Sequence, residues 1–83
     1  MKISVKYFAS IRESVGTGSE QWQTGAATLG GLRDELIARG GAHAQSLARG
    51  RAVRVALNQV MSGEDAALTD NCEVAFFPPV TGG

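Results

Sequence analysis

The stretch Glu73-Val74-Ala75-Phe76-Phe77-Pro78-Pro79-Val80-Thr81-Gly82-Gly83 closes the sequence and frames the reading of the fold. Glu73 to Phe77 reads as a strand with Val74 and Phe76 on one face and Ala75 and Phe77 on the other, because successive side chains of an extended backbone point to opposite sides. Pro78 and Pro79 end it. Neither has an N–H for a sheet ladder and both favour an extended polyproline geometry, so residues 79–83 should leave the sheet as a flexible, projecting tail. Gly82 and Gly83 have no Cβ, so a carboxylate at Gly83 could enter a channel too narrow for any other residue. A carboxylate so placed is a candidate reacting group. The ordinary reading of a terminal glycine pair is a frayed chain end, and the strand and prolines in front of it weigh against that reading.

A last strand of this kind needs partners. Lys2 to Phe8 alternates, with Ile3, Val5 and Tyr7 on one face and Lys2, Ser4 and Lys6 on the other, until Phe8 breaks the polar side. Val53, Val55 and Leu57 alternate with Ala52, Arg54 and Ala56 in a clear strand, and Glu20 to Thr24 around Trp22 makes a weaker one. Between them, Ala9 to Val15 is a short helix stopped by Gly16 and Gly18. Thr28 can cap the main helix, whose Leu29, Leu32 and Leu36 form an apolar stripe with Glu35 and Arg39 paired four apart outside it, before Gly40 and Gly41 end it. Gly30 and Gly31 in its first turn weaken it by up to about 1 kcal/mol each. Ala42 to Ala48 makes one more short helix. The order strand, short helix, strand, long helix, strand, strand predicts an α+β fold with helices packed on one face of a small sheet, and the other face partly open.

With 83 residues, 43% of them hydrophobic, residues 1–83 are one small domain. Such a domain buries roughly 60% of its unfolded surface, which favours simple chemistry or partner binding over an elaborate active site. Eight Lys+Arg balance eight Asp+Glu, which argues against sequence-independent nucleic-acid binding. A single cysteine, Cys72, excludes an internal disulfide, a Cys-x-x-Cys zinc or redox pair and a four-cysteine iron–sulfur cluster. Polar residues interrupt the apolar ones from Met1 to Lys6, and no transmembrane run occurs, so no membrane is expected as a partner and the cytoplasm is the expected location.

Other candidate groups have plain readings. Gly16-Thr17-Gly18-Ser19-Glu20-Gln21 lacks the third glycine of a dinucleotide fingerprint and follows a helix, so it is turn chemistry. Cys72 could hold a persulfide, but no neighbouring Lys, Arg or His would lower its pKa. His43 stands alone as a surface histidine near a helix start, without a partner for zinc. Arg49, Arg51 and Arg54 form a small basic cluster, read first as a solvated face and second as a partner contact.

Taken together, Leu68-Thr69-Asp70, Glu73 through Gly83, Ala56-Leu57-Asn58-Gln59 and the Lys2–Phe8 strand closely resemble the small subunit of molybdopterin synthase. The terminal Phe-Phe-Pro-Pro-Val-Thr-Gly-Gly is the specific part, while Gly16 to Arg51 matches in pattern only. The sequence departs from the family at Asn71-Cys72, where Gly-Asp is usual; Asn tolerates a left-handed turn, so the turn should survive.

The resemblance implies a ubiquitin-like β-grasp fold and a sulfur-carrier role in molybdenum cofactor biosynthesis, with no permanently bound cofactor and no metal. On that pattern a ubiquitin-activating-like adenylyltransferase would use ATP to adenylate Gly83, with Gly82 beside it. A sulfurtransferase or cysteine desulfurase would supply the sulfur. The resulting thiocarboxylate would enter the large synthase subunit, in a heterotetramer of two small and two large subunits, to build the dithiolene of molybdopterin from a cyclic pyranopterin. The small subunit would then be no enzyme by itself. Two rivals are the thiamine-pathway sulfur carrier, against which Phe76-Phe77-Pro78-Pro79 weighs, and a ubiquitin-like protein modifier.

Strand parity adds a surface. If Ile3, Val5 and Tyr7 face the helices, Phe8 faces away; if Val74 and Phe76 face inward, Phe77 faces outward. Neighbouring first and last strands would bring Phe8 and Phe77 together, with Met61, as an apolar patch beside Pro78, Pro79, Val80 and Thr81 for the large subunit. The competing reading has Pro78 bending the strand end so that Phe77 turns into the core.

Overall fold

The computed structural model describes residues 1–79; Val80, Thr81, Gly82 and Gly83, on which the expectations for the tail rest, lie outside the described residues. Five strands, β1 (Lys2–Tyr7), β2 (Ser19–Gln23), β3 (Arg54–Leu57), β4 (Val60–Ser62) and β5 (Glu73–Phe77), form one sheet in the order β2-β1-β5-β3-β4. The first and last strands run parallel at its centre, with Tyr7 opposite Phe76, and every other pairing is antiparallel. This is the mixed β-grasp sheet that the resemblance implies. Helices α1 (Ala9–Val15), α2 (Leu29–Ile37) and α3 (Gly41–Leu47) complete the fold.

The alternation sets the core. Ile3, Val5 and Tyr7 of β1, Val74 and Phe76 of β5 and Val55 of β3 meet Leu29, Leu32 and Leu36 of α2 and Leu47 of α3 in a single buried cluster. Each fully buried Val, Leu or Phe contributes about 1.5–3 kcal/mol by leaving water. Thr28 caps α2 as expected, its hydroxyl accepting from the Gly31 N–H at 3.2 Å. Asn71 adopts the left-handed conformation, φ 64°, so the turn before β5 survives its unusual sequence.

Some expectations change. β4 went unread: Asn58 and Gln59, at φ 50° and 70°, make a tight hairpin that returns Val60–Ser62 along β3. The strand expected over Ala52 to Leu57 begins at Arg54. Phe8 lies outside β1 and serves as the N-cap of α1, its carbonyl accepting from the Ile11 and Arg12 N–H groups while its own N–H donates to the Phe76 carbonyl. Glu35 and Arg39 do not pair. Glu35 accepts from Trp22 Nε1 at 3.0 Å, the Thr24 hydroxyl at 2.6 Å and the Gly25 N–H at 3.1 Å, while Arg39 pairs with Glu20. These donors come from β2 and the chain just after it, and they outcompete a helical neighbour whose pairing in water is worth only about 0.2–0.5 kcal/mol. They hold the Glu35 carboxyl below its usual range although burial opposes them.

Candidate functional site

The site lies where β5 ends. Parallel pairing of β1 and β5 places Phe8, one residue beyond Tyr7, next to Phe77, one residue beyond Phe76. Both side chains fall on the face away from the helices. Their rings stack at 4.7 Å between centroids with an interplanar angle of 11°. Phe8 remains 41% exposed and Met61 53%, and Phe77 is half-buried. The strand-end distortion that would have turned Phe77 into the core does not occur.

The neighbouring strands complete a groove. Arg54 pairs with Phe77 in register, and Ala56 lies opposite both Ala75 and Met61, so these side chains share the open face. Ala56 and Ala75 are small and buried, which leaves the larger side chains around them standing as walls. Phe8, Ala9, Arg54, Met61, Phe77, Pro78 and Pro79 line the depression, about 470 Å³ in volume. The rest of the open face is polar, with Lys6 paired to Glu73 at 3.2 Å and Gln21 donating to Ser4 at 2.9 Å. An apolar corner on an otherwise polar face is a candidate binding surface, because folded domains seldom leave large aromatic side chains clustered in water.

The other candidates resolve differently. His43 is no isolated surface residue: its Nε2 lies 3.1 Å from Glu20 Oε2 and its ring meets Tyr7 edge-on at 5.7 Å. Glu20 also accepts from the Tyr7 hydroxyl at 2.6 Å and from Arg39, whose guanidinium stacks 4.7 Å above Trp22. Burial alone would raise the Glu20 pKa, but the hydrogen bonds from Tyr7, His43 and Arg39 outweigh it and hold the carboxyl low. Burial, with the Glu20 bond, pushes the Tyr7 hydroxyl far up. This cluster locks β1, β2 and the two later helices together. Cys72 is 3% exposed and packs in the core, so no persulfide there could meet a partner without local opening. Gly16 takes the left-handed C-cap of α1 at φ 92°, which is the turn chemistry expected of it.

The arginine cluster divides. Arg49 pairs with Asp34 at 2.8 Å and with Glu64, whereas Arg51 and Arg54 turn toward the end of β5. Arg33 was missed altogether. It is buried on α2, donating to the Leu47 and Ala48 carbonyls, each at 2.7 Å, to the Arg51 carbonyl at 3.1 Å and to Glu64 at 2.7 Å. Its position four residues after Leu29 and three before Leu36 marks it as part of the buried stripe, a signal present in the sequence. Bonds from Arg49 and Arg33 hold the Glu64 carboxyl low, burial opposing them.

Residues 5–83 match the ThiS family along almost the whole chain. The chain belongs to the ThiS family. Among curated relatives, this ThiS-family chain is 42% identical to the molybdopterin synthase sulfur carrier subunit of Escherichia coli K12, over 98% of this chain and 99% of that protein. It is 37% identical to the protein of the same name from Haemophilus influenzae, with the same coverage. Among solved structures, SAMP1 of Haloferax volcanii, a small archaeal modifier protein, superposes with a TM-score of 0.78 at 28% identity, covering 100% of both chains. Among the described residues no group of His, Cys, Asp and Glu could hold a metal ion, and no helix is long and apolar enough to cross a membrane.

Proposed function

We propose that this chain is the sulfur carrier subunit of a molybdopterin synthase, acting in molybdenum cofactor biosynthesis in the cytoplasm. The observation that carries the reading is the stacked Phe8–Phe77 pair in an open groove at Pro78–Pro79, immediately before the Val80-Thr81-Gly82-Gly83 sequence. The near full-length likeness to two sulfur carrier subunits supports it. In this reading the chain has no catalytic acid or base of its own. The Gly83 carboxylate attacks the α-phosphate of ATP on an adenylating enzyme, releasing pyrophosphate. Sulfur delivered by a donor at the sulfide level, as hydrosulfide, then attacks the acyl carbon of the acyl-adenylate, displaces AMP and leaves a thiocarboxylate. Thiocarboxylate sulfur is softer and more nucleophilic than a carboxylate oxygen. The large synthase subunit docks on the groove, receives the tail and takes the sulfur for the dithiolene, and hydrolysis returns Gly83 to a carboxylate. Gly82 keeps the tail narrow at that step.

The test is the mass of the chain purified from its own cells. The expected species has sulfur in place of one oxygen at Gly83, and deletion of Gly83 should abolish it together with molybdopterin synthesis while leaving thermal unfolding unchanged. Cofactor synthesis by the truncated chain would overturn the reading. The likeness to SAMP1 favours a second reading, a protein modifier, for which the same experiment would find Gly83 in isopeptide linkage to lysines of other proteins.

A further inference from the structure

The described residues at the base of the tail carry charge of one sign. Pro78 and Pro79 line two depressions at once. The sheet-side groove also contains Arg54, and a helix-side cavity of about 350 Å³, bounded by Ser10, Ser14 and Gln45 among others, contains Arg51. No Asp or Glu lines either one. Of the other six cations four are matched, Lys6 with Glu73, Arg33 with Glu64, Arg39 with Glu20, and Arg49 with Asp34 and Glu64, while Lys2 and Arg12, neither of which lines these two depressions, form no ion pair among the described residues. Arg51 and Arg54 are exposed and form no ion pair among the described residues.

Both arginines are positioned from behind. Arg33 donates to the Arg51 carbonyl at 3.1 Å, and the Arg51 N–H donates to the Ala48 carbonyl at 2.9 Å, which fixes that loop against α2. Arg54 is held in β3 opposite Phe77. A formal net charge of zero therefore conceals a positive rim on either side of Pro78–Pro79, and the apolar wall of the groove strengthens its field by excluding water. Two separated guanidinium groups flanking an aromatic groove suit a protein surface better than a polyanion, which calls for a broad run of cations.

We propose that Arg51 and Arg54 form a two-sided clamp that recognises carboxylate side chains on the protein that receives the tail, the large synthase subunit; the inference rests on the sulfur-carrier reading above. The aromatic groove supplies affinity, and the arginines set the angle at which the tail enters, because each must meet an acidic group on its own side of Pro78–Pro79.

The test is titration calorimetry of the full chain against the large molybdopterin synthase subunit of the same organism, at low and high sodium chloride. The wild-type Kd should rise with salt. Arg51→Glu and Arg54→Glu should each weaken binding about tenfold at low salt, and the pair together should remove the salt dependence. Arg54→Lys should recover only part of the loss, since an ammonium cannot bind a carboxylate in two-pronged fashion. Lys2→Glu, the same change of charge at the opposite end of β1, should leave Kd within about twofold of wild type. All three sites are exposed, so coincident melting curves would show that the variants fold. Unchanged affinity in both arginine variants, or an equal loss in Lys2→Glu, would overturn the clamp. Salt-independent wild-type binding would overturn the clamp alone, whereas no wild-type binding at all would overturn both it and the reading beneath it.

Discussion

Tyr7–Phe76 and Phe8–Phe77 are aromatic pairs one residue apart along the chain where β1 and β5 end, yet they belong to different parts of the molecule. The first is fully buried, with rings at 6.3 Å and an interplanar angle of 17°, under the helices. The second stacks at 4.7 Å on the open face, where Phe8 remains 41% exposed. The pleat alone separates them. What covers each face then decides whether a phenylalanine supports folding or is available to a partner, and the comparison teaches that composition cannot distinguish the two uses.

The largest expected effect lies in the inner pair. Phe76→Ala should lower the free energy of unfolding by about 3–5 kcal/mol in urea titrations, because the side chain leaves a cavity under α2. A loss below about 1 kcal/mol would place the stabilising core elsewhere. The outer pair should behave oppositely. Phe77→Asp should raise the Kd for the large subunit at least tenfold, about 1.4 kcal/mol, while hardly moving the thermal midpoint of the isolated chain. Strong unfolding of that variant would place Phe77 in the core and erase the distinction.

The smallest effect sharpens the contrast through pH. Tyr7, but not Phe8, touches a carboxylate, and the Glu20 carboxyl is held low. A lowered folded-state pKa means that, in acid, the unfolded chain binds the proton first. The stabilisation is therefore complete above the usual carboxylate value of about 4.3 and is lost as pH falls through the folded one. Glu35 and Glu64 act in the same direction. Tyr7→Phe should cost about 1 kcal/mol at neutral pH and make the acid slope shallower, measured by thermal unfolding across the acid range. Phe8→Ala should leave that slope as in the wild type; a matching change in slope would mean that the outer pair is coupled to the Glu20 cluster after all.

Local alternation made β1, β5 and the opposed directions of Phe76 and Phe77 legible in the sequence, because a pleat fixes side-chain direction wherever the backbone is extended. The stop at Pro78 and the cap at Thr28 were legible for the same local reason. β4 was not: Val60–Ser62 is short, and the Asn58-Gln59 turn lacks the glycine that usually signals a hairpin.

Long-range chemistry was also hidden. Glu35 turns to Trp22 and Thr24, His43 to Glu20, and Arg33 to the loop after α3, all partners distant in sequence. By itself, then, the sequence determined the faces of the strands, the end of the sheet and the family. Only the tertiary structure decided which charges are consumed by the fold and which, like Arg51 and Arg54, remain beside Pro78–Pro79. Charge pairing depends on distances across space, and the distances at this site come from parallel pairing of the chain's first and last strands.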